Sequence, residues 1–230
     1  MKVLVICDDF WHPGEIVARG LKPLEKEGYE LDVVMYVRDM LYPEMLRDYD
    51  VIINAKSNVF GPANKAAWFD PAVSAVMPND FKEYIEEGHG FIALHAGNCY
   101  SLERQADMAN LTGNDFIGHP PQCAIRMEKV GDHPIMQGVE PFEVVDEHYR
   151  INVHAKDVDL FLTSTSDTEA GTQYAGYTRT FGKGRFCCLT PGHTLLAVRL
   201  RTSGVPDSHG VTGGVYKARH TMRVGNTRSP

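Results

Sequence analysis

The chain opens on KVLVIC (residues 2–7), a near-continuous apolar run, and such runs belong to central parallel strands covered on both faces. Comparable runs follow at 30–37, 50–55 (DVIINA) and 90–94 (GFIAL). Between the first two, residues 15–27 put Ile16, Val17, Leu21 and Leu24 on one side and stop at Gly28. That is the pattern of an amphipathic helix with a glycine cap, and Pro23 in its middle predicts a kink. Residues 78–87 start with proline and end before Gly88, which predicts a second helix. The intervening stretch 57–77, which contains Trp68, reads as a long loop with a short helix. Strands alternating with helices imply right-handed crossovers and a parallel sheet. Past about residue 120 the pattern changes: 122–130, 142–145, 159–165, 172–180 and 184–189 read as strands with few helices between them. No internal repeat or linker divides the chain. The prediction is one α/β unit, with a central mainly parallel sheet, helices on both faces and antiparallel strands added in the second half.

Hydrophobic periodicity ends at Val198, so the sequence predicts a domain over 1–198 and an atypical, disordered basic tail over 199–230. From Leu196 onward six basic residues stand against one acid, Asp207, although the chain as a whole carries a net charge of −7. That overall charge, and a tail with few aromatics and no helical face, argue against a nucleic-acid partner. With 43% apolar and 23% charged residues, the composition is that of a globular protein able to bury a core without staples. No run approaches 18 apolar residues, so no membrane partner is expected. The N-terminus lacks a secretory leader and reads as a buried first strand. Five cysteines without a CxxC pair predict reduced thiols in a cytoplasmic protein.

Ligands of open α/β sheets bind beyond the carboxyl ends of the strands. The first strand ends at Asp8, Asp9 and His12, and the fourth at His95, within Ala93-Leu94-His95-Ala96-Gly97-Asn98. A strand, a presented side chain between small residues and then a helix have the shape of a nucleophile elbow. Here the presented group is an imidazole, suited to proton transfer or to metal binding at neutral pH; a buried histidine satisfied by backbone is the alternative. His119 (GHPP), His133 (DHPI) and His193 (PGHT) stand in punctuated turns. Each is equally at home as a solvated loop residue, and their number is what points to a shared site. None has the spacing of a zinc motif such as HExxH. In DEHY, strand alternation turns Glu147 and Tyr149 to one side and Asp146 and His148 to the other, pairing a carboxylate with a phenol. Trp11 can stack on a sugar face or cover a sheet edge. Cys99, in the first turn after the elbow, would have its pKa lowered by a helix N-terminus, which leaves thiol hydrolysis as a rival chemistry.

The ordered set ALHAGNCY (93–100), DFIGHPP (115–121), DHPIMQGVEPFEVVDEHYR (132–150) and AGYTRTFGKGRFCCLTPGHT (175–194) resembles the ThuA-like, or trehalose-utilisation, family over residues 1–194. The resemblance implies a flavodoxin-like fold related to class I glutamine amidotransferases. It places His95 where those enzymes carry a cysteine nucleophile, so glutamine hydrolysis is not expected. The family's recurring polar positions fall on His95, Asn98, His119, His133, Glu147, Tyr149 and His193. Family members usually continue with a final amphipathic helix, and the basic, apolar-poor sequence after Thr194 departs from that pattern as an altered terminus would.

The expected function is that of a carbohydrate enzyme acting on a sugar or keto-sugar. His95, Glu147 and His193 carry the acid–base chemistry, and Trp11, Asn98, His119, His133 and Tyr149 bind substrate. A divalent metal on His95, His119 or His193 would polarise a carbonyl. The expected partner is a small-molecule carbohydrate, and a homo-oligomer is compatible with the chain. The alternative is a non-catalytic sugar-binding or regulatory domain that keeps the pocket.

Overall fold

The computed structural model describes residues 1–35, 37–58 and 75–198; the expectations for Trp68 and its surroundings and for the tail 199–230 lie outside the described residues. The first half runs β1 (Lys2–Ile6), α1 (Gly14–Leu21), β2 (Glu30–Val34), α2 (Val37–Met40), β3 (Val51–Asn54), α3 (Pro78–Glu86), β4 (Gly90–Leu94) and α4 (Ala106–Thr112). The second half runs β5 (Asn114–Gly118), β6 (Cys123–Lys129), β7 (Phe142–Asp146), β8 (Arg150–Val153), β9 (Asp159–Thr165), β10 (Thr172–Phe181), β11 (Gly184–Leu189) and α5 (Leu195–Val198).

Among the described residues nine strands form one sheet in the order β2-β1-β3-β4-β11-β10-β9-β6-β7, and β5 pairs with β8 in a separate antiparallel ribbon. The first five strands of the large sheet are parallel to one another, in the spatial order of flavodoxin-like sheets. The remaining pairings are antiparallel. Register places the carboxyl ends side by side: Ile6 pairs with Val34 and with Asn54, and Leu94 with Leu189. Alternation along β1 divides the core. Val3, Val5 and Cys7 join Val17 and Leu21 on one face, while Leu4 and Ile6 join Phe81, Tyr84 and Phe91 on the other. Both faces of β1, β3 and β4 are therefore covered, which is why these segments read as continuous apolar runs, whereas the edge strand β2 stays largely exposed.

Two local expectations need correction. The helix expected over 15–27 ends as α-helix at Leu21 and continues as a 3-10 helix over Lys22–Glu27, with Pro23 in its first turn and Gly28 at φ +87° closing it. Proline cannot supply the N–H that an uninterrupted α-helix needs there. The helix expected directly after His95 is a single 3-10 turn, His95–Asn98, and α4 starts only at Ala106. At the far end, Val198 of α5 packs where Gly20 of α1 leaves room; a Cβ on Gly20 would collide with that valine.

Candidate active site

The site is built from the loops that leave β1, β4, β5, β7 and β11. His95 is the first residue after β4 and sits at φ +46°, in the left-handed region where a side chain other than glycine is uncommon. Three contacts fix it there. Its Nδ1 lies 2.7 Å from the Thr190 carbonyl. Asn98 donates from Nδ2 to the carbonyls of Ala93 (2.9 Å) and Leu189 (3.1 Å), clipping the turn between β4 and β11. Gly97 lies so close to β3 that a Cβ would collide with the Asn54 carbonyl. The small residue beside the presented one therefore has a steric cause.

His12 comes from the loop after β1. Asp9 organises that loop: Oδ1 accepts from the Trp11 and His12 amides (2.9 and 3.0 Å) and lies 2.7 Å from His12 Nδ1, while Oδ2 accepts from the Ser57 amide and hydroxyl (2.8 and 2.7 Å). Burial raises the Asp9 pKa, but the bonds from His12 and Ser57 outweigh it and hold the carboxyl below its ordinary value. Carboxylate and carbonyl oxygens only accept, so Nδ1 of both His12 and His95 carries a proton, and Nε2 of each is the position that gains or loses one. His119 repeats the arrangement, with Nδ1 2.8 Å from the Pro120 carbonyl.

These rings surround Glu147. Its Oε2 lies 3.3 Å from His95 Nε2, 3.4 Å from His119 Nε2 and 4.0 Å from His12 Nε2, and its Oε1 lies 3.2 Å from His193 Nδ1. Burial pushes the Glu147 pKa up, but the contacts with His193, His95 and His119 prevail and hold the carboxyl well below the usual range. In return Glu147 raises the His193 pKa, whereas burial lowers that of His95. Asp146 positions His193 from beneath: its carboxylate accepts the amides of Gly192 (2.6 Å), His193 (3.0 Å) and Thr194 (3.3 Å). The Tyr149 hydroxyl lies 3.0 Å from His95 Nε2 and 3.4 Å from His12 Nε2, and it accepts from the Cys99 thiol. Burial holds Tyr149 well above the ordinary phenol range, and so as the phenol.

A pocket of about 730 Å³ opens over this cluster, walled by Trp11, Phe116, His119, Glu147, Tyr149 and His193. The structure thus brings together five of the expected site residues there, and His95 lies just behind Glu147 and Tyr149. It does not bring in Asn98 or His133. Asn98 is fully buried and spent on backbone carbonyls. His133 caps a short 3-10 turn by accepting from the Ile135 amide and packs on Phe161. Cys99 lines the pocket, but burial pushes its thiol up rather than down, and it closes the C-terminal end of the 3-10 turn instead of standing at a helix N-terminus. Sequence reasoning gave no role to His12, Asp9 or Asp146. The acids at the end of β1 were the available signal, since charges directly after a buried strand must be paired. The donors of His12, His95, Glu147 and His193 lie within 4.8 Å of one another, a grouping suited to a metal ion. It includes His12 in place of the expected His119.

The fold is shared with solved structures. A ThuA-like protein from Parabacteroides merdae is 16% identical and superposes with a TM-score of 0.67, covering 94% of this chain and 97% of that one. A ThuA-like protein from Bacteroides uniformis is 18% identical with a TM-score of 0.61, over 86% and 84% of the two chains. A glutamine amidotransferase from Thermotoga maritima is 14% identical with a TM-score of 0.56, over 83% and 74%. No protein of curated function matches the chain in sequence. Among the described residues no helix is long and apolar enough to cross a membrane. The family model for trehalose utilisation matches residues 2–200, which takes in every strand of the sheet and every loop that reaches the pocket; the chain belongs to the ThuA family.

Proposed function

We propose that the chain is a carbohydrate-processing enzyme of the ThuA type that moves a proton at a carbon beside a carbonyl, or at a glycosidic oxygen, of a sugar or keto-sugar. The observation that carries this reading is the convergence of four imidazoles on one carboxylate, Glu147, under an open pocket. Trp11, 62% exposed, and Phe116 offer flat apolar surfaces to a sugar ring at the pocket wall. Within the cluster the roles divide by chemistry. A carboxylate held as acidic as Glu147 is a poor proton acceptor, so it acts through its charge, steadying a neighbouring imidazolium. His119 is the proton carrier: its Nδ1 is engaged by a carbonyl, its Nε2 faces Glu147, and its side chain is 33% exposed. His193 and His95 complete the catalytic cluster. The same reading sets the protein in the cytoplasm, where its five free cysteines would stay reduced.

The test is proton NMR in D2O with a panel of sugars and their 3-keto derivatives. Deuterium should enter beside the carbonyl, or a product should form. His119→Gln should lower the rate by about 10²-fold or more, as loss of a general acid–base does. Binding without exchange or turnover across the panel, or an unchanged rate in His119→Gln, would overturn the reading in favour of a sugar-binding domain.

A further inference from the structure

At the centre of the cluster, atoms that attract protons face one another with few protons to share. Nδ1–H of His12 is committed to Asp9 and Nδ1–H of His95 to the Thr190 carbonyl. Their Nε2 atoms, the ones left for a ligand, face Glu147 Oε2, itself a lone-pair site, at 4.0 and 3.3 Å. Glu147 Oε2 and His193 Nδ1 are buried without a hydrogen-bond partner among the described residues, although His193 Nδ1 is only 3.2 Å from Oε1. The three rings stand around one point, with centroid separations of 5.0 Å (His12–His95), 5.4 Å (His12–His193) and 5.5 Å (His95–His193). Converging lone pairs repel unless a cation lies among them.

We propose that His12, His95, Glu147 and His193 bind a divalent transition-metal ion, with His119 outside the coordination sphere. Three imidazoles and one carboxylate suit zinc, manganese, iron, cobalt or nickel, and do not suit magnesium or calcium, which take oxygen ligands. Bonds of about 2.0–2.2 Å place tetrahedral ligands about 3.4 Å apart and opposed octahedral ligands about 4.3 Å apart. The four donors, all within 4.8 Å of one another, would close on an ion by side-chain rotation alone.

The surroundings also fit. Ligating histidines characteristically donate their other ring N–H to a carboxylate or a carbonyl, which fixes tautomer and direction. Asp9 does this for His12 and the Thr190 carbonyl for His95, while Asp146 holds the His193 backbone. Among the described residues the Tyr149 hydroxyl is the competing donor, 3.0 Å from His95 Nε2. With a metal bound, that hydroxyl would turn its proton toward a carboxylate and leave His95 Nε2 to the ion. A six-coordinate ion with four protein ligands keeps two positions open to the pocket, a match for the adjacent oxygens of a hydroxy-ketone. The assignment concerns the pocket of the proposed sugar chemistry, but its test reads bound metal and not turnover, so the two can fail separately.

The full chain is stripped with EDTA and titrated with Co²⁺, following visible absorption, and with Zn²⁺ and Mn²⁺ by calorimetry. One ion per chain should bind, with a cobalt spectrum showing nitrogen and oxygen donors and no thiolate charge-transfer band. His12→Gln and Glu147→Gln should each weaken binding by about 100-fold or more, and Asp9→Asn, whose carboxylate orients the His12 ring, by about 10–100-fold. His133→Gln, away from the pocket, should leave the affinity unchanged. Circular dichroism of the metal-free variants confirms folding; should one variant fail to fold, the other decides. Absence of stoichiometric binding would overturn the proposal. So would binding that is indifferent to both His12→Gln and Glu147→Gln, or a thiolate band placing the ion on Cys187 and Cys188.

Discussion

Replacing Asp146 should destabilise the fold by an amount that can be worked out from its contacts. The residue ends β7 with its side chain fully buried. Oδ2 accepts one amide, at 2.6 Å, and Oδ1 two, at 3.0 and 3.3 Å, all from the loop that follows β11. Hydrogen bonds to a charged acceptor contribute about 1.5–3 kcal/mol each, and an amide left buried and unmet costs about 1–3 kcal/mol. The longest bond is the weakest and the loop can relax, so Asp146→Ala should cost about 3–5 kcal/mol, the range found for breaking a buried charged network. In a domain of this size one kcal/mol moves the melting temperature by about 2–4 °C. The alanine variant should therefore melt about 6–20 °C below the parent. Asp146→Asn keeps an oxygen for the His193 and Thr194 amides but turns an NH2 toward Gly192, so it should lose roughly half as much. Differential scanning calorimetry gives the shift, and the ring proton resonances of His193 report whether the loop has moved. An alanine variant that melts within about 2 °C of the parent would show that water or backbone relaxation replaces the carboxylate, and that Asp146 does not position His193.

Three further outcomes are expected. Gly97→Ala sets a methyl group against the Asn54 carbonyl, backbone against backbone, and should cost about 1–3 kcal/mol or more; an unchanged urea midpoint would refute the close approach. Asn98→Ala should lower thermal stability by removing the clip between β4 and β11, while ligand affinity in the folded fraction stays the same; a selective loss of affinity would restore its expected role in binding. Burial raises the pKa of Cys7 to about 12 and lifts Cys99, Cys187 and Cys188 also. Iodoacetamide at pH 7.5 should therefore label Cys123 first, as read by peptide mass spectrometry, and rapid labelling of Cys99 would revive thiol chemistry.

The parallel half was legible because strands buried on both faces leave an unbroken apolar signature. KVLVIC and GFIAL needed no alternation to be recognised, and Gly28 and Pro78 marked the helix boundaries. The ribbon of β5 and β8 was missed because Asn114–Gly118 and Arg150–Val153 mix polar and apolar residues without the clean alternation that would have marked them as strands. The histidines were legible one at a time, as imidazoles in rigid turns. Their meeting point depends on register between strands far apart in sequence, and no local pattern encodes that. Asn98 and His133 show the cost of reading polarity as function. Asn98 spends its amide on backbone carbonyls at the elbow, and His133 accepts a backbone amide at a 3-10 turn and turns its other nitrogen to Thr178 and Asp159. His12 was passed over for a related reason: its importance comes from Asp9, whose five contacts span the ends of β1 and β3.

The order of strands in the sheet also bears on how the protein acquires its pocket in time. Among the described strands β11 is the last made, yet it inserts between β4 and β10, and the loop beyond it carries His193. Glu147 arrives from β7, at the opposite edge of the sheet from β2. Pairings between segments this distant in sequence close slowly, because loop-closure entropy must be overcome before any contact compensates for it. During synthesis or refolding, the strands up to β4 can collapse around α1 and α3 while His12 and His95 still lack their carboxylate. The pocket is complete only once β11 has docked and brought His193 to Glu147. A ligand or ion that needs the assembled cluster would bind only the finished molecule, and its uptake would time the last event of folding.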